Sequence, residues 1–169
     1  MTARAMVIGL GSPDRGDDAV GTAVAERVRG VVGDDVEVLT REDPTALVHA
    51  WQGRHVVVLV DAMISGVAAG TVNVRRAGTG DAPLPTHAFA AAGRGGSHAF
   101  GVAGAVELSR TLGTLPEHVA LVGVESTTFD HGPMSGPVAA SIDDAVAAVF
   151  AELAIAGVAT KGGEAETCA

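Results

Sequence analysis

Apolar positions along the chain fall into short blocks separated by glycine, proline and aspartate. Residues 5–10 form an apolar run bounded by glycine, the pattern of a buried strand. Residues 55–60 are clearer still, with five consecutive apolar side chains, Val56, Val57, Val58, Leu59 and Val60, closed by Asp61. A strand apolar on both faces belongs in the middle of a sheet covered on both sides. Residues 36–40 and 118–124 read as further strands, and 71–76 alternates in the manner of a strand nearer an edge. Between these blocks the period changes. Val20, Ala23, Val24, Arg27 and Val28 fall at helical spacing within residues 19–31, with Asp17 and Asp18 placed to cap the helix start. Asp43 followed by Pro44 is a cap with proline at the first helical position, opening a short helix to about Trp51. Residues 99–112 and 136–153 read as two more helices.

Strands alternating with helices predict an α/β chain with an open, mainly parallel sheet sandwiched between helices. Residues 77–96 show no period, and a loop of that length in a compact domain usually has a function. A single domain over residues 1–156 is expected, with a disordered tail over 157–169.

Composition narrows the classes. Hydrophobic residues make up 47% and aromatic residues 3% of the 169, so the core must be built from Val, Leu, Ile and Ala. Twenty acidic against eleven basic residues give a formal charge of -9, which repels phosphate backbones and argues against nucleic acid as a partner. The single cysteine, Cys168, can form no internal disulfide and no cysteine cluster exists to hold a metal. The longest apolar run is far too short to span a bilayer, so no membrane association is expected. The first apolar stretch breaks at once into Gly11, Ser12 and Pro13 instead of forming a secretion signal, and a cytoplasmic protein is expected.

In an open parallel sheet, sites form beyond the carboxyl ends of the strands. Asp17 and Asp18 follow the first strand, Asp61 ends the central one, and His98 opens the helix after the long loop with Ser97 as its cap. Two carboxylates and an imidazole from three elements make an O,O,N set suited to nickel or zinc, or a general acid and base for peptide hydrolysis. Taken singly, each also reads as structural: Asp17 and Asp18 as helix caps, Asp61 as a turn cap, His98 as a helix-start residue. His87 and His131 sit in loops, Glu125 ends a strand at the same edge, and His49, His55 and His118 read as structural. Gly9 and Gly11 after a strand also suggest a dinucleotide site. The fingerprint needs a further glycine where Asp14 stands, and Asp14, Asp17 and Asp18 would face the pyrophosphate.

The stretch GLGSPDRGDDAVG over residues 9–21 resembles the N-terminal signature of the [NiFe]-hydrogenase maturation endopeptidases. VVVLVDA over 56–62 resembles their second motif, SHAFGV over 97–102 their third, and LVGVE over 121–125 their last strand. The likeness runs from about residue 5 to 149. It implies a three-layer α/β/α sandwich whose sheet of about five strands carries one antiparallel strand. It implies an endopeptidase, of a family often grouped as aspartic-type, that removes the C-terminal extension of a hydrogenase large-subunit precursor. No Asp-Thr-Gly or Asp-Ser-Gly of the pepsin kind occurs, which leaves carboxylate-led and metal-led hydrolysis both open. Carried over by motif, the metal-contacting and catalytic residues are Asp18, Asp61 and His98. The nickel they meet would belong to the precursor, not to a resident cofactor, making cleavage a checkpoint on metal insertion. The chain departs from the family pattern at Ser12 for the usual Asn, at Asp14 and Arg15 where apolar residues are common, and at Ser126 where proline is frequent. A non-catalytic nickel-binding accessory protein of hydrogenase assembly is the alternative that the same triad allows.

Overall fold

The computed structural model describes residues 4–84 and 101–160. Five strands form one sheet: β1 (Ala5–Leu10), β2 (Val36–Arg41), β3 (Val56–Met63), β4 (Val72–Arg76) and β5 (His118–Glu125), in the order β2-β1-β3-β5-β4. All neighbours run parallel except β4, which pairs antiparallel with β5 at the edge. Helices α1 (Val20–Arg29), α2 (Leu47–Ala50), α3 (Val102–Leu112), α4 (Gly136–Ala140) and α5 (Ile142–Ile155) complete the elements.

The central strands are apolar on both faces because each face is covered. Val7, Val58, Val60, Val122 and Val124 pack with Val24 and Val28 of α1 and with Val149 and Leu153 of α5. Ile8, Leu59 and Leu121 point the other way, into a second core with Val102 and Val106 of α3 and with Trp51. Trp51 is fully buried, and its indole N–H donates to Ser109 Oγ at 2.9 Å, tying the α2 end to α3. This is the expected three-layer sandwich. Among the described residues no helix is long and apolar enough to cross a membrane.

Four local expectations are corrected. β3 does not stop before Asp61 but runs on to Met63, because β5 keeps pairing with it as far as Met63 and Glu125. Asp17 and Asp18 lie in a 3-10 turn over Gly16–Ala19, and neither helix start carries a side-chain cap. The last helix is two helices, α4 and α5, parted at Ser141, whose hydroxyl donates to Val138 O at 2.7 Å. After α5, Gly157 turns at φ +72° and the Val158 N–H reaches Leu153 O at 2.9 Å. Val158 is buried, so the packed chain reaches at least that residue. The Asp43 cap holds as expected, its carboxylate accepting from Thr45 N at 2.9 Å.

Helix α1 meets the sheet backbone to backbone. A Cβ on Gly21 would stand 2.1 Å from Leu10 O and 2.5 Å from Val60 O, and one on Gly9 would stand 2.2 Å from Gly21 O. At an exposed helical site Gly→Ala stabilises by up to about 1 kcal/mol. Here rigid backbone lies in the way, and overpacking costs about 1–3 kcal/mol. Gly21→Ala is therefore expected to lower the urea midpoint, the reverse of its effect at an exposed helix position.

Candidate active site

The strand order reverses at β1: the chain passes from β1 to β2 on one side and returns to β3 on the other. A crevice at such a point, outside the carboxyl ends of the strands, is where ligands bind in this architecture. Pairing between β1 and β3 ends at Gly9 and Val60. Asp61 is the next residue, and so stands where β1 has turned away while β5 still holds the strand through Gly123. Strand alternation puts Asp61 on the face of Leu59 and Met63, the face that α3 covers. Gly123 opposite has no side chain, and the Met63 side chain takes the space, its Sδ standing 2.4 Å from where a Cβ would be.

Asp18 approaches from the loop after β1, its 3-10 turn packed against β3. It is nearly buried, and its Oδ2 accepts from Ser12 N at 2.8 Å. The fit is close: a Cβ on Gly11, at φ +115°, would stand 2.0 Å from Asp18 O. That bond also bears on the dinucleotide reading. The Ser12 N–H, which a phosphate would need, is already taken by a carboxylate, and negative charge lines the loop.

Asp17 has a role that leaves no trace in the local sequence pattern. It is fully buried and reaches across to the loop after β5. Its Oδ2 accepts from Thr127 N at 2.9 Å and Thr128 N at 3.1 Å, and its Oδ1 from Ser135 N at 2.7 Å. Burial raises its pKa, but the backbone N–H groups of Thr127, Ser135 and Thr128 outweigh burial and hold it below the ordinary range. The same two segments meet again where Asp17 N donates to Thr128 O at 2.7 Å and Gly16 N to Gly132 O at 3.1 Å. His131 is exposed on this loop.

Glu125 makes a second tie. Its buried carboxylate accepts from Ser65 N at 2.8 Å, from Ser65 Oγ at 2.8 Å and from Gly66 N at 2.9 Å. Burial again pushes its pKa up, and the donors from Ser65, Gly66 and Val67 bring it below the usual value. Two buried carboxylates thus lace the loops after β1, β3 and β5 around Asp61. His118 lies at the other end of the sheet, its Nε2 3.3 Å from Glu152 Oε2 but outside hydrogen-bond geometry. His49 and His55 are exposed.

The structure therefore brings Asp18 and Asp61 to one end of neighbouring elements. His98, Ser97 and His87 lie outside the described residues. Among the described residues no group of three or more His, Cys, Asp or Glu side chains gathers in a way that could hold a metal ion.

Both lacing carboxylates have folded pKa values below their unfolded ones. Their stabilisation is full above the unfolded carboxyl pKa, about 4, and is lost as pH falls through the folded values. Asp17→Asn is expected to cost about 2–3 kcal/mol at pH 7. It should also make stability fall less between about pH 5 and pH 2 than in the unaltered protein. Denaturant titrations at several pH values check both effects.

No family model matches the chain, and no curated protein matches it significantly. Solved structures do. The hydrogenase maturating endopeptidase HybD from Escherichia coli is 25% identical, with a TM-score of 0.74 over 91% of this chain and 94% of that one. A second endopeptidase from Escherichia coli is 26% identical, with a TM-score of 0.77 over 92% and 94%. A hydrogenase 2 maturation peptidase from a Thaumarchaeota archaeon shares the fold at 22% identity and a TM-score of 0.62, over 92% and 99%. In strand order and over nearly its whole length, the chain is thus similar to hydrogenase maturation endopeptidases of known structure.

Proposed function

We propose that this protein is a peptide hydrolase that removes the C-terminal extension of a nickel-containing hydrogenase large-subunit precursor, in the cytoplasm, after the metal has been inserted. The observation that carries this reading is the nearly full-length likeness to HybD from Escherichia coli. Two carboxylates on neighbouring elements at the strand reversal support it.

In this reading Asp18, Asp61 and His98 engage the nickel that the precursor carries, and so fix the scissile bond beside it. Two carboxylates and one imidazole suit nickel chemically. The Asp61 backbone is held by the sheet and the Asp18 carboxylate by the Ser12 N–H, so both residues start from fixed positions. Asp18 accepts the proton of the attacking water as the tetrahedral intermediate forms, and returns it to the leaving amine. Proton transfer by a carboxylate and polarisation by the substrate's metal can act together, so the aspartic-type label describes only half of the chemistry.

The test is the mass of the nickel-loaded cognate precursor after incubation with the protein, beside a nickel-free control. Loss of a short C-terminal peptide from the nickel-loaded form alone is expected. Asp18→Asn and Asp61→Asn should each slow that loss about 100-fold or more. Binding without any mass loss would instead identify a nickel-sensing accessory protein, and normal processing by Asp18→Asn would remove that residue from the proton transfer.

A further inference from the structure

The row of the sheet that carries Asp61 is filled unevenly. On the β1 side pairing has already ended, at Gly9 and Val60. On the β5 side the partner of Asp61 is Gly123, and the place of the missing side chain is taken by Met63. Met63 lies on the same face as Asp61, two residues further along β3. Its side chain leans back over Gly123, where a Cβ would stand 2.4 Å from Sδ and 3.3 Å from Cγ. Neighbouring strands are about 4.8 Å apart, so the sulfur comes within about 7 Å of the Asp61 Cβ. Two bonds fix where this side chain starts. Met63 O accepts from Ser126 N at 2.9 Å, and Glu125, the partner of Met63 on β5, holds the turn beyond it through Ser65 N at 2.8 Å.

An unbranched thioether can lie over a glycine and fill an irregular gap that a stiffer side chain would leave open. We propose that Met63 is a positioning residue for the cleavage reaction: its buried thioether walls off the β5 flank of Asp61, and Gly123 is the space that lets it do so. With that flank closed, the carboxylate is left the β1 side, where the Asp18 loop approaches. Fewer geometries are then open to it. Confining a reacting group in this way shows in the rate, because a misplacement of about 1 Å can cost about 100-fold. The inference rests on the protease reading of Asp61 and adds to it the residue that confines the carboxylate.

The experiment is steady-state cleavage of the nickel-loaded cognate precursor by the full chain and its variants, with melting temperatures measured in parallel. Met63→Ala opens the flank and is expected to lower kcat about tenfold with KM little changed, at temperatures where the variant is folded. Met63→Leu, of similar volume, should keep kcat within about twofold. Gly123→Ala displaces the thioether and should lower kcat in the same way. Adding Met63→Ala to it gives the new Cβ vacated space, and the double variant should recover part of the kcat that Gly123→Ala loses. A Met63→Ala that melts earlier but keeps its kcat, beside an inactive Asp61→Asn, makes Met63 purely structural, which overturns the wall and leaves the active site standing. A rise in KM at unchanged kcat assigns Met63 to substrate binding and overturns the positioning role as well. An Asp61→Asn that cleaves normally overturns both the wall and the reading on which it rests.

Discussion

The carboxylate end of this molecule depends on one interaction above the others, the buried Asp17 carboxylate and its three backbone donors. An ionised group inside a protein persists only where its lone pairs are satisfied. Once it is so satisfied, it becomes a rigid cross-link between segments far apart in sequence. Asp17 joins the first loop to the loop after β5, more than a hundred residues later in the chain. Glu125, at the foot of that second loop, does the same for the turn after β3. The sheet supplies the platform, and these two carboxylates determine how the loops stand around it. The strongly acidic composition is thus partly internal architecture and not only a solubility device.

Much of the fold was legible in the sequence because its strands are apolar on both faces. The run from Val56 to Val60 could belong only to a covered, central strand, and the alternation in residues 71–76 marked the edge strand β4. The errors have physical reasons. Asp61 looked like a terminator because a polar residue interrupted an apolar run. The strand continues because its neighbour β5 outlasts β1, a fact of register that no local pattern contains. The 3-10 turn that moves Asp17 and Asp18 off the helix start leaves no periodic trace. Motif and strand-end position singled out Asp18 and Asp61 as candidates, whereas the clamping roles of Asp17 and Glu125 were invisible. Their partners are backbone N–H groups far away in sequence, and backbone donors carry no residue signature.

The glycines show the same division between local and long-range information. Gly9 and Gly21 read as parts of a loop motif, yet what they provide is contact between α1 and the sheet without intervening side chains. That contact fixes the helix that the 3-10 turn leads into, and with it the approach of Asp18. Gly123, the partner of Asp61 across the sheet, serves differently, by making room for the Met63 side chain. Three positions without side chains therefore shape a centre whose chemistry belongs to others.

The pairing of Asp61 with Gly123 has a further consequence for how the protein comes into being. The two residues are about sixty positions apart, and the strands that carry them pair in parallel, a long-range closure of the slow kind. On a ribosome Asp61 emerges well before β5 can dock beside it. The nascent chain therefore holds the acidic residues without the geometry that gives them a use. The carboxylate-lined end of the sheet is then assembled in one late step, and a partly made copy carries Asp61 on a strand that still lacks its neighbour.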